Sequence, residues 1–217
     1  MHEASVLVYY ARLRFITNLL PHLQRAPHLR RVVTVFAGTK EGKIDTSDFQ
    51  ARKIGMLAIR GHTTSMVTLS LEAIAEKAPN VGFVHAYPGF VKTGIARGTK
   101  GVGFAVMNAV LWIIGPLIYI PNEEVGERML FLATSARYAP AASRGHGAGL
   151  PLVNGTQVAN GTTGVTGAGV YSVDESGESA RPKVVELLAA LRKERMTEKV
   201  WGHTQKEFNR ITGTDAV

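Results

Sequence analysis

The chain has 217 residues, enough for one domain with a sizeable core, and its 45% hydrophobic and 19% charged residues are ordinary for a globular fold. It has no cysteine, which excludes disulfide staples, thiolate nucleophiles and cysteine zinc sites, and no metal centre is expected. A formal charge of +8 raises nucleic acid as a partner, but the basic residues are scattered and no recognition helix, zinc spacing or aromatic-basic motif accompanies them, so that class is set aside.

Met1–Ser5 is polar, with Glu3 where a secretory signal would be basic, and helical patterning begins at once. A cytoplasmic location is therefore expected. Ser5–Gln24 places Leu7, Tyr10, Leu13, Ile16, Leu20 and Leu23 at helical spacing and is predicted to end near Pro21 or Pro27. Arg31–Phe36, a short β-branched run, reads as a strand. After a mixed polar stretch, Thr63, Thr64 and Ser65 are candidate N-caps for a helix through Lys77 with Met66, Leu69, Ala73 and Ile74 on one face. Val81–Tyr87 is almost continuously apolar, the pattern of a parallel strand covered on both faces.

Gly103–Ile120 has eighteen residues and no charge. A membrane span needs about 20 apolar residues, and Gly115-Pro116 interrupts this run. It is predicted to be a buried or substrate-covering helical hairpin, ahead of peripheral attachment to one membrane leaflet. Asn122 is expected to cap a helix with Glu123 and Glu124 in its first turn and Val125, Met129 and Leu132 on its core stripe. Residues 143–168 read as a Gly-rich loop, and its two Asn-Gly-Thr triplets as turns. Gly169–Val173 is the third strand, and Pro182–Met196 the final amphipathic helix. Alternating helices and strands imply an α/β class. The expected architecture is a single, truncated domain with an incomplete Rossmann-like three-layer fold and a mainly parallel sheet of about three strands.

Three stretches in order carry a family resemblance: Arg31–Gly42, His62–Leu69 and the Pro88–Thr93 turn, PGFVKT. Together they resemble the second half of a short-chain dehydrogenase/reductase. Lys43–Gly61 and Gly169–Asp174, with Trp201 beyond, resemble the branch that includes retinol dehydrogenases, and Asn18–Pro21 resembles part of that family's dimer-forming helix. The likeness looks closest to divergent members from fungal secondary-metabolite gene clusters, without the family's N-terminal dinucleotide-binding third. It implies an oxidoreductase acting on a hydrophobic intermediate, NAD(P) (NADP or NAD) as cofactor, and a homo-oligomer. It also implies a nicotinamide contact from Pro88, Gly89, Val91 and Thr93.

The resemblance carries four polar catalytic positions onto residues that have changed. The family tyrosine falls on His62, the lysine on Met66, the serine on Ala37 and the helix asparagine near Val8. A Tyr–Lys pair moves a proton because the ammonium lowers the phenol pKa, and Met66 has no charge for that work. His62 is the candidate general acid, its unperturbed pKa being near 6.5. The alternative to the oxidoreductase is a catalytically degenerate remnant, or a repurposed non-redox isomerase or cyclase. His85 and Tyr87 are expected mainly to pack, and Arg12 and Arg14 to be solvated.

Overall fold

The computed structural model describes residues 6–92, 102–142, 148–153 and 155–214. A π-helical turn, Val6–Tyr10, leads into α1 (Ala11–Arg25), which passes through Pro21 and stops ahead of Pro27. Strand β1 (Arg31–Val35) follows, then α2 (Met56–Lys77), β2 (Gly82–Ala86), α3 (Val102–Ile118), α4 (Asn122–Thr134) and a 3-10 turn at Ala136–Tyr138. After β3 (Val170–Val173) come α5 (Pro182–Lys193) and α6 (Met196–Thr212).

The three strands are parallel in the order β1-β2-β3, with Val33 opposite Val84 and Val84 opposite Tyr171. The expected like-directed pair bridged by one helix is therefore present, and α2 is that bridge. Central β2 is buried along its whole length, which is why its sequence is apolar without alternation. Successive residues of β2 face opposite sides of the sheet. Phe83 joins the larger core, with Leu13, Leu69, Leu188 and Val200, while Val84 joins a second core with Leu132, Tyr138 and Tyr171.

Four elements differ from their sequence patterns. α2 begins at Met56 behind an extended Gly55, so Thr63, Thr64 and Ser65 are interior residues rather than caps. Residues 62–71 are buried all round, leaving no polar face to mark the helix, and the Thr64 hydroxyl bonds back to Arg60 O at 2.7 Å. α3 is one helix rather than a hairpin. Pro116 lies two residues before its end, so the one i→i−4 bond it forgoes falls in the last turn and only two residues follow it. Its apolar side chains from Val110 to Leu117 are largely exposed, not buried. Pro121 takes the N-cap position expected of Asn122. The helix expected to be last stops at Lys193. Arg195 turns left-handed (φ 56), and α6 follows with Val200, Trp201, Thr204 and Phe208 buried on its inner face.

Arg12 is also placed differently. Its guanidinium donates to the Val35 carbonyl at 2.9 Å and lies 5.7 Å from the Phe36 ring centroid, covering the end of the open β1 edge instead of extending into solvent. Arg14 lies over Phe208, 5.3 Å from its ring centroid.

Candidate functional site at the carboxyl edge of the sheet

In open parallel sheets ligands bind beyond the carboxyl ends of the strands. Three segments meet there. The first leaves β1 with Phe36, whose N–H still pairs with Ala86 O at 2.8 Å. Gly38 then crosses closely over the backbone of β2 and β3. Thr39 adopts φ 67, an uncommon conformation for a β-branched residue. Its N–H donates to Ser172 Oγ at 2.7 Å, while its own hydroxyl oxygen is buried without a hydrogen-bond partner. Strain of this kind concentrates at functional sites.

Glu41 occupies the middle of this turn. Its Oε1 accepts from the Thr68 hydroxyl at 2.8 Å and from the Ser172 hydroxyl at 2.7 Å, and its Oε2 is buried and unpartnered. Desolvation raises its pKa above the usual glutamate range despite those two bonds. The network continues inward: Thr68 Oγ1 is 2.9 Å from His85 Nδ1, and His85 Nε2 faces the Ala37 N–H at 3.4 Å. With Nε2 accepting, the proton sits on Nδ1 and the ring is neutral. Burial pushes the His85 pKa down to about 3, the Arg12 guanidinium adding to it.

His62 and Met66, at the family's tyrosine and lysine positions, are both 1% exposed. His62 Nδ1 accepts the Asp45 N–H at 3.1 Å, leaving Nε2 to face the Phe49 carbonyl at 3.4 Å. Burial lowers its pKa, only partly opposed by the Phe49 bond. Both ring nitrogens are thus occupied in holding residues 45–49 against α2. One turn on, Ser65 Oγ donates to Gly42 O at 2.6 Å and accepts from Gly42 N at 2.9 Å. Met66 packs in the main core. Ala37, at the serine position, is buried and brings only its backbone N–H to the network.

The second segment leaves β2. The Tyr87 ring has Lys40 Nζ and the Arg60 guanidinium carbon each 5.0 Å from its centroid, a pair of cation–π contacts at the sheet edge. Gly89 has φ 78, and a Cβ there would stand 2.5 Å from Ile120 Cδ1 and 3.0 Å from Glu175 Cβ. Val91 bridges to Ile120. Pro88, Gly89 and Val91 therefore share one bend, braced by Ile120 and by Glu175 of the third segment, which leaves β3. Thr93 lies outside the described residues, as does most of the Gly145–Gly149 stretch.

A nicotinamide dinucleotide fits this edge only in part. The Pro88–Val91 bend lies at the carboxyl end of β2, with Gly89 in a left-handed conformation. However, β1 reaches α2 through residues 36–55 rather than through a tight glycine-rich turn, and Met66 has no ammonium to hold a ribose. The described residues do not form a complete dinucleotide site, and no group of His, Asp or Glu among them could hold a metal ion.

Comparison with known proteins agrees with the fold. No protein-family profile matches the chain. Oxidoreductase andH of Emericella variicolor is 34% identical over 209 residues, covering 95% of this chain and 60% of the relative. Oxidoreductase AN1596 of Emericella nidulans is 36% identical over 201 residues, 92% of this chain and 59% of the relative. Short-chain dehydrogenase/reductase SAT2 of Stachybotrys chartarum is 30% identical over 225 residues, 96% of this chain and 59% of the relative. The chain is a divergent relative of the short-chain dehydrogenases/reductases. It spans about three-fifths of the length of these relatives.

Neither Glu41 nor its partners stood out as site residues in the sequence, where Gly38–Gly61 reads only as polar and mixed. Replacing Glu41 by Gln tests the buried carboxyl directly. A folded-state pKa above the unfolded value means the native state holds the extra proton, so stability falls as pH rises from about 4.5 through the folded pKa. Glu41→Gln removes that dependence. Its stability relative to the unmodified protein should improve from pH 4 to pH 8 in urea titrations, and an equal difference at both ends would show that the carboxyl ionises freely.

Proposed function

We propose that the chain carries the nicotinamide-facing part of a short-chain dehydrogenase/reductase-type oxidoreductase acting on a hydrophobic intermediate of fungal secondary metabolism. The observation that supports this most is the parallel β1–α2–β2 unit ending in the Pro88–Gly89 bend, in a chain related over nearly all its length to fungal oxidoreductases. NAD(P) is the cofactor class this reading requires. A bound nicotinamide dinucleotide supplies or takes up hydride. The chain's own part is to present the bend and Val91, with Thr93 assigned to the same contact by sequence alone.

A probe carrying only the nicotinamide half matches what the chain offers. With nicotinamide mononucleotide at millimolar concentration, amide hydrogen exchange should slow at Gly89–Lys92 while β3 stays unchanged. Exchange at Gly89–Lys92 unaffected by both this probe and NADPH would defeat the proposal.

A second reading, a non-redox isomerase or cyclase, draws support from Glu41 rather than from His62. A buried carboxyl with a raised pKa and one unpartnered oxygen at the sheet edge is the type of group that can act as a proton donor. His62, bonded on both ring nitrogens, is less suited to that task. Cofactor-independent conversion of a substrate, lost in Glu41→Gln and kept in His62→Gln, would favour this reading over the first.

A further inference from the structure

The chain leaves the sheet edge at Val91 and returns at Ile120, and these two residues form a parallel bridge, with Ile120 N–H donating to Phe90 O at 2.8 Å. α3 therefore lies between the two sides of this neck. None of its seventeen residues is charged. Val110, Ile113, Ile114 and Leu117 form an exposed i, i+3, i+4, i+7 stripe, Leu117 being 88% exposed, and Trp112 is 83% exposed on the opposite side. Of the described side-chain positions in α3, Gly115 is the one that is fully covered, and the Tyr119 ring covers it.

A helix that docks in a protein groove has one apolar face and one polar face, whereas a helix apolar all round needs cover all round. Lipid acyl chains provide that. Seventeen residues of helix rise about 25 Å, short of the roughly 30 Å hydrocarbon core. No helix among the described residues is long and apolar enough to cross a membrane. We infer that α3 inserts into one leaflet of a lipid bilayer and holds the carboxyl edge of the sheet at the membrane surface. Local charge at the neck is mixed, Lys92 on one side and Glu123 and Glu124 on the other, so apolar insertion carries the binding. The net charge of +8 adds a longer-range attraction to anionic headgroups. This inference is independent of the reaction proposed above, though such a location suits a lipophilic substrate.

Vesicle binding tests it. The protein should co-sediment with phosphatidylcholine vesicles, and more strongly when phosphatidylserine is included, the increment falling as salt is raised. The sequence has two tryptophans, so Trp201→Phe leaves Trp112 as the reporter. Its emission should shift to the blue and be quenched by brominated acyl chains. Ile113→Glu with Leu117→Glu, both at exposed positions, should lower partitioning at least about tenfold with an unchanged thermal melt. Three results would overturn the inference. They are no partitioning of the unmodified protein, equal partitioning of the double variant, or a lipid-free self-association that the same substitutions abolish. The last would assign the helix to a second copy of the chain.

Discussion

Acid should destabilise this protein strongly, and His85 should account for much of the loss. Its pKa is about 3 in the folded chain against 6.5 for the free side chain. Between those values the unfolded state takes up a proton that the native state refuses. Stability is therefore complete above about pH 6.5 and drains away as pH falls toward 3. The full effect amounts to about 4–5 kcal/mol, a large share of the roughly 5–15 kcal/mol that holds a domain together. The cause is geometric. The ring is buried in central β2, stacked 6.2 Å from Phe36, with one nitrogen toward the Ala37 N–H and the other toward the Thr68 hydroxyl. The charged group acting on it is the Arg12 guanidinium, which disfavours a second positive charge. His62 and His203 are depressed in the same direction and Glu41 is raised, so the acid slope of the unmodified protein is a composite. A difference between variants isolates His85. His85→Gln keeps a donor and an acceptor but cannot titrate in this range. At pH 7 it should cost about 1–2 kcal/mol through imperfect bonds. Between pH 6 and pH 4 its stability should fall less steeply, by about 1.4 kcal/mol per pH unit. Parallel urea-midpoint profiles for the two proteins would mean that His85 accepts its proton in the native state.

What the sequence makes legible follows from where the physical signal is local. The unbroken apolar run around Phe83 and Val84 identifies a strand covered on both faces, and with β1 and the intervening helix it leads to the parallel sheet. The start of α2 is not legible, because the middle of the helix, residues 62–71, is buried all round and gives no periodic contrast, and Thr63–Ser65 there imitate a cap. α6 escapes for the opposite reason. Its inner face is only Val200, Trp201, Thr204 and Phe208 in a mostly polar stretch, and the left-handed turn at Arg195 that separates it from α5 falls on an arginine, where no glycine announces it. α3 is legible as apolar, but composition alone does not distinguish a buried or substrate-covering hairpin from a helix at a membrane leaflet. The candidate site is least legible. Glu41 meets Thr68 and Ser172 across 27 and 131 residues of chain, so only the folded topology reveals that a turn carboxylate is the buried group of the sheet edge. The changed residue at the family tyrosine position pointed instead to His62, whose nitrogens the fold uses to hold residues 45–49 in place.

Gly38→Ala should be strongly destabilising. Its backbone torsion is not left-handed, so the requirement is one of space, not of conformational freedom. A methyl group there would collide with the His85 carbonyl oxygen and stand 2.8 Å from the Val173 oxygen and 2.9 Å from the His85 carbonyl carbon. All of these atoms are main chain. Val173 O is already bonded to Tyr87 N at 2.9 Å in the β2–β3 ladder, so relief cannot come from a side-chain rotation. The turn must instead lift off the sheet. Lifting it withdraws the Thr39 N–H from Ser172 and Glu41 from Ser172 and Thr68, which exposes or orphans the same polar groups that define the edge. Overpacking against a rigid backbone costs about 3 kcal/mol, and the lost network adds to it. Gly126→Ala is the matching control: it lies within α4 with nothing inside 4 Å of the added carbon. It should stabilise by about 0.5–1 kcal/mol through helix propensity. If chemical denaturation finds Gly38→Ala as stable as the unmodified protein, the chain after β1 does not cross β2 this closely. Glu41 then loses the wall that buries it, and with that wall its raised pKa and its part in any chemistry at this edge.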